Sequence, residues 1–110
     1  MTDRSKKYLS DILLAIELIQ EFTAGLDFND YNSDRKTQSA VERQLAIIGE
    51  ALNQFRKLDP NVEIENYRQI VAFRNRLVHA YDSLDNSIIW AIVNRHLKPL
   101  KSEIEILLKE

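Results

Sequence analysis

Val41-Glu42-Arg43-Gln44-Leu45-Ala46-Ile47-Ile48-Gly49-Glu50-Ala51-Leu52-Asn53-Gln54-Phe55 is the stretch that decides the fold. Its apolar residues Val41, Leu45, Ile48, Leu52 and Phe55 recur at spacings of four, three, four and three. That is the period of one helix face, so the stretch is an α-helix with a single seam for the core. Asp34 stands where a side-chain carboxylate can cap its first turn. Asp59-Pro60 marks its end, because the residue before a proline avoids the helical region. Gly49 is out of place in this pattern, since glycine inside a helix costs about 1 kcal/mol relative to alanine. With Ala46 before it and Ala51 after it, it implies the close approach of another helix, from the same chain or from a second one.

The flanking segments repeat the theme. Leu9, Ile12, Leu13, Ile16, Ile19 and Phe22 fall at helical intervals, with Ser5 or Asp3 as caps and Gly25 as the stop. A polar loop, Leu26 to Ser33, leads into the central helix. A third helix is expected from near Ile64 through Tyr67, Ile70, Val71 and Phe73 to about Val78. After Asp82-Ser83-Leu84-Asp85, a fourth carries Ile88, Ile89, Ile92, Val93, Leu97, Leu100, Ile104 and Leu107. Pro99 removes a backbone donor and clashes with the Arg95 carbonyl, so a kink or break is expected there. The expected fold is all-α: one domain over residues 1–110, a small antiparallel bundle of four main helices. Glycine and proline occur only twice each in 110 residues, in keeping with a chain that spends little on turns and strands.

Composition narrows the function. Hydrophobic residues make up 45% of the chain, enough for a core, and the formal net charge of -2 argues against both intrinsic disorder and an overall basic coat. Cysteine is absent, which removes disulfides, thiolate metal sites and cysteine nucleophiles. No apolar run has the length of a membrane span, and no signal-peptide core follows Met1-Thr2-Asp3-Arg4-Ser5-Lys6-Lys7. A cytoplasmic protein is expected. The charge is uneven: between Asn66 and Lys101 six basic residues face two acidic ones, Asp82 and Asp85, so a negatively charged partner would be drawn to one region.

That region holds the informative segment Arg74-Asn75-Arg76-Leu77-Val78-His79-Ala80-Tyr81-Asp82. On an ideal helix Asn75 and His79 lie about 40° apart and share a face, whereas Arg74 lies about 140° from His79. Either the helix ends before His79 and turns the imidazole back, or Arg74 and His79 meet across a two-fold interface. A plain helix terminus, its His and Arg capping the last carbonyls, is the structural alternative.

Arg74-x4-His79-x-Tyr81, with polar Asn75 after the arginine, resembles the R-x4-H-x-Y signature of HEPN-domain proteins, in particular the HepT-like ribonuclease toxins. The resemblance extends along the chain. Ile47-Ile48-Gly49-Glu50-Ala51-Leu52 is similar to the family's "IGEAL" segment. Tyr67-Arg68-Gln69-Ile70-Val71-Ala72-Phe73-Arg74-Asn75 is similar to "WRDIVGFRN", with Tyr67 in place of tryptophan. Ile88-Ile89-Trp90-Ala91-Ile92-Val93 resembles the opening of the final helix. The resemblance implies a symmetric homodimer whose two copies line one cleft, and a metal-independent endoribonuclease acting on RNA such as tRNA or mRNA without a cofactor. It implies Arg74 and His79 as catalytic residues with Asn75 in support, and AMP transfer to Tyr81 by a partner nucleotidyltransferase antitoxin.

These residue types suit the chemistry. Histidine titrates near neutrality and can move the proton of a ribose 2′-hydroxyl. Arginine offers a permanently charged fork to the scissile phosphate. Arg76 and Arg68 are candidate RNA-binding residues, and Leu77, Val78 and Ile89 are candidates for the dimer interface. His96, Tyr67 and Trp90 read as solvent or packing residues, and Asp82 and Asp85 as the turn and cap before the last helix. The contrasting reading is a non-catalytic helical adaptor of a nucleotidyltransferase domain that binds nucleotide or phosphate through Arg74 and His79. A third is a structural dimerisation module.

Overall fold

The computed structural model describes residues 1–79 and 84–110. Its elements are α1 (Asp3–Thr23), α2 (Phe28–Asn32), α3 (Arg35–Leu58), α4 (Tyr67–His79), α5 (Asn86–Arg95) and α6 (Leu97–Lys109), with no strand among the described residues. The central pair is α1 against α3. Leu9, Ile12, Ile16 and Ile19 of α1 are buried against the α3 seam of Val41, Leu45, Ile48, Leu52 and Phe55. Each such side chain contributes on the order of 1.5–3 kcal/mol, so this pair anchors the bundle. The two helices run antiparallel: Ser5, at the start of α1 and fully buried, donates its hydroxyl to Asp59 at the end of α3. Ser5 is therefore a tie between helices rather than a cap. Thr2 caps α1 by accepting from the Ser5 N–H at 3.2 Å. Gly25 follows the helix with φ +77°, the left-handed backbone that favours glycine.

Elsewhere the expected boundaries shift for identifiable reasons. The loop between Leu26 and Ser33 contains α2, closed by a reciprocal cap in which Asp27 accepts from the Asp30 N–H and Asp30 from the Asp27 N–H. Asp34 caps α3 through the Thr37 N–H and hydroxyl, at 3.1 and 2.6 Å. Those two bonds hold its carboxyl below the usual carboxylate range. The third main helix begins at Tyr67 rather than near Ile64, because Asn66 has φ 63° and cannot belong to a right-handed helix. Ile64 is buried beneath that turn.

The expected interruption near Pro99 occurs four residues earlier. The helix stops at Arg95 and restarts at Leu97 after His96, since the carbonyl that the proline ring would strike belongs to Arg95. Pro99 itself sits in the first turn of α6, where its missing N–H costs nothing. Asp85 caps α5 by accepting from the Ser87 N–H at 2.8 Å. Trp90 of α5 packs on Tyr31 of α2, ring centroids 5.1 Å apart, so both aromatics serve packing. No helix among the described residues is long and apolar enough to cross a membrane.

Helix α4 is held mainly by α3, and Leu77 is its one buried residue. On its other side a groove of about 490 Å³, lined by Ile48, Ile70, Phe73, Ile92 and Leu100, separates it from α5 and α6. The interface expected around Leu77, Val78 and Ile89 needs correction. Leu77 and Ile89 belong to the chain's own core, and only Val78, 46% exposed, faces outward.

Candidate active site

Arg74 is placed by a contact that only glycine permits. A Cβ added to Gly49 would lie 2.2 Å from the Arg74 Cβ and 2.7 Å from its Cγ, so α4 crosses α3 with the arginine stem seated on the bare glycine backbone. The close approach implied by Gly49 is thus made within the chain. The guanidinium then meets the α3 residue that follows: Arg74 Nη2 lies 2.9 Å from Glu50 Oε2. Its Nη1 donates to Asn75 Oδ1 at 3.0 Å. Its Nε is buried with no partner among the described residues. Gln54, one turn along α3, donates to the other oxygen of Glu50 at 3.0 Å. A shallow depression of about 270 Å³ opens beside this cluster, lined among others by Tyr8, Asp11, Arg43, Glu50, Arg74 and Val78.

The other candidates fall around this centre unevenly. Helix α4 continues through His79, so the imidazole is not turned back by an earlier helix end. His79 and Asn75 are both exposed. Arg76 is also exposed and one turn from His79. Arg68 stands at the opposite end of α4, about 16 Å from His79 along the helix axis. It shares a recess there with Glu63, Glu65 and Glu103. Tyr67 stacks under Arg56, 4.6 Å from the guanidinium carbon to the ring centroid, and donates to Asn53 at 3.4 Å. His96 is exposed at the α5–α6 break and lines the groove behind α4. Tyr81 and Asp82 lie outside the described residues. Among the described residues no three His, Asp or Glu side chains gather in a group that could hold a metal ion.

Glu50 and Gln54, which stand beside Arg74, are not among the residues the signature points to. The signal was present: Glu50 follows the anomalous Gly49, and Gln54 lies at i+4 from it on the same helix face. Without the register of α4 on α3, nothing marked that face as the one beside Arg74.

An all-helical bundle that presents an arginine on a glycine-permitted crossing, with a histidine five residues later on the same helix, defines a HEPN-type helical domain. The chain belongs to the ribonuclease HepT-like family, whose model matches residues 12–107. Among curated proteins it is 43% identical over 108 residues to "Probable ribonuclease HepT" of Thermococcus cleftensis, covering 94% of this chain and 96% of that one. It is 37% identical over 105 residues to "Putative RNase MJ1380" of Methanocaldococcus jannaschii, covering 92% and 94%. It is 32% identical over 110 residues to "Putative RNase TTE0752" of Caldanaerobacter subterraneus, covering 96% of each. No solved structure matches the chain.

Proposed function

We propose that the protein is a cytoplasmic, metal-independent endoribonuclease, the toxin of a toxin–antitoxin pair. It acts as a homodimer in which Arg74 and His79 of both copies line one RNA-binding cleft. The observation that carries the reading is the placement of these two residues on one uninterrupted helix. Arg74 is pinned against α3 while His79 faces outward about 140° away. Within one copy they address different directions; a second copy brings a histidine to each arginine. General acid and general base are two roles, and a two-fold cleft supplies two histidines for them.

In this mechanism the ribose 2′-hydroxyl attacks the adjacent phosphorus, one imidazole takes its proton and the other protonates the departing 5′-oxygen. The arginine forks stabilise the charge that builds on the phosphoryl oxygens. Asn75 steadies the Arg74 guanidinium through their 3.0 Å contact. Arg76, exposed beside His79, extends the positive surface toward the RNA backbone. Arg68 sits too far along α4 to touch the scissile phosphate and would reach RNA only at a distance. A nucleotidyltransferase antitoxin silences the enzyme by transferring AMP from ATP to the Tyr81 hydroxyl, the phenol oxygen bonding to the α-phosphorus as pyrophosphate and the phenol proton leave. The added phosphodiester would pair with the arginines that RNA needs, and the purine would fill the cleft.

The test is cleavage of RNA in EDTA by the purified protein, with light scattering for its assembly. Cleavage leaving a 2′,3′-cyclic phosphate, reduced roughly 100-fold or more by Arg74→Ala and by His79→Ala, is the expected result. Cleavage that survives both substitutions, that stops with EDTA, or that belongs to a monomer overturns the mechanism. Tight RNA binding without cleavage would favour the adaptor reading. For Tyr81, incubation with the cognate nucleotidyltransferase, ATP and magnesium should add AMP mass to that residue and abolish cleavage. Inhibition unchanged in Tyr81→Phe would refute the modification.

A further inference from the structure

If Arg74 stabilises the reacting phosphate, what aims it matters as much as its charge. The arginine stem is wedged on Gly49. The two terminal nitrogens are held separately, Nη2 by Glu50 at 2.9 Å and Nη1 by Asn75 at 3.0 Å. The Glu50 carboxylate is in turn held by Gln54 at 3.0 Å. Nε is covered by protein, so only the Nη end of the fork is open to a ligand. A free arginine explores many rotamers; this one is seated at its stem and held at both tips.

Stability does not account for the Glu50–Arg74 pair. The two side chains are 44% and 27% exposed, and ion pairs so open to water contribute little. Electrostatics does not account for it either, since a carboxylate beside the phosphate-binding arginine weakens the attraction for RNA. What remains is orientation. The geometry points to Glu50 as the positioning residue for Arg74, a carboxylate that, fixed by Gln54, aims the guanidinium at the cleft. This inference rests on the ribonuclease reading and assigns that site a residue outside its signature. Glu50 takes no part in proton transfer and acts through Arg74 alone.

The sign of the effect separates positioning from a merely structural role. Removing Glu50 deletes a negative charge near the bound phosphate, so RNA binding should hold or tighten. The arginine loses its aim, so turnover should fall; misplacing a catalytic group by about 1 Å can cost 100-fold. The experiment measures kcat and KM on a single-stranded oligoribonucleotide containing all four bases. It compares the wild type with Glu50→Ala, Glu50→Gln, Gln54→Ala, Arg74→Ala and the double variant Glu50→Ala/Arg74→Ala. Glu50→Ala should lower kcat about tenfold or more with KM unchanged or reduced, and Gln54→Ala should lower it less. Glu50→Gln keeps an acceptor oxygen for Nη2 and should recover much of the loss. The double variant should be no worse than Arg74→Ala.

A second readout needs no activity: in nitrogen-15 NMR spectra of the intact protein, the Arg74 Nη signals should be separate in the wild type and merge in Glu50→Ala. If Arg74→Ala is inactive while Glu50→Ala keeps wild-type kcat, or if the Nη signals are already merged in the wild type, the positioning role is wrong and the site stands. If Arg74→Ala keeps full activity, the ribonuclease site itself is wrong, and the NMR comparison still decides whether Glu50 holds the arginine.

Discussion

Replacing Gly49 with alanine sets two effects of known sign against each other. Alanine is the better helix former by about 1 kcal/mol, so on an isolated helix the change would stabilise. Here the new methyl would lie 2.2 Å from the Arg74 Cβ and 2.7 Å from its Cγ, where ordinary contact begins near 3.4 Å. The shortfall, 3.4 − 2.2 or 1.2 Å, falls on a Cβ, which cannot swing aside like the end of a long side chain. The Arg74 Cα, 3.5 Å away, already sits at contact. Helix α4 must therefore lift from α3. Overpacking of this kind costs about 1–3 kcal/mol. Against the propensity gain, the net loss is about 1 kcal/mol and the melting temperature should fall by roughly 4 °C.

The functional effect should be larger, since a shift near 1 Å of the backbone carrying Arg74 is expected to lower turnover by roughly 10- to 100-fold. Differential scanning calorimetry and the RNA-cleavage assay, run side by side, measure both. Gly25→Ala serves as the control: nothing lies within 4 Å of its added methyl, but its φ of +77° makes any side chain strained. It should cost stability and leave activity alone. A Gly49→Ala protein that melts higher than the wild type and cleaves RNA at full rate would refute the close crossing.

Three further outcomes follow from buried and half-buried polar groups. Burial holds the Glu42 carboxyl above its ordinary range. The folded state therefore keeps its proton longer than the unfolded chain, and stability from this group falls as pH rises through the window above the ordinary carboxylate pKa. Glu42→Gln should remove that slope and raise the melting temperature at pH 7; urea titrations that show a steeper slope would contradict this. Ser5→Ala should destabilise by about 1–2 kcal/mol, since it strips the Asp59 carboxylate of a buried donor and unties α1 from α3; an unchanged urea midpoint would be the contrary result. The Tyr31 hydroxyl is buried without a partner among the described residues, and burial drives its pKa upward. Tyr31→Phe should thus be neutral or stabilising in thermal melts, and a loss above about 1 kcal/mol would reveal a partner.

The α1 and α3 stripes, the Asp34 and Asp85 caps and the stop before Pro60 were legible in the sequence. Each follows from chemistry local to a few turns: the 3.6-residue period, a carboxylate reaching an N–H three residues on, a proline constraining its neighbour. The spacing of Arg74 and His79 on α4 was legible for the same reason, as a fixed spacing of residue types. The start of α4 was not, because its delay to Tyr67 depends on the left-handed backbone at Asn66, a state that asparagine tolerates without demanding. Gly49 shows where the boundary lies. Its presence mid-helix announced that something must come close, and the sequence could not say what. The tertiary structure decided that it is Arg74, and thereby that Glu50 and Gln54 stand beside the guanidinium. Helical periodicity is fixed residue by residue along one chain segment. The register of one helix on another is fixed by how two surfaces interlock, and here it hangs on a single missing methyl group.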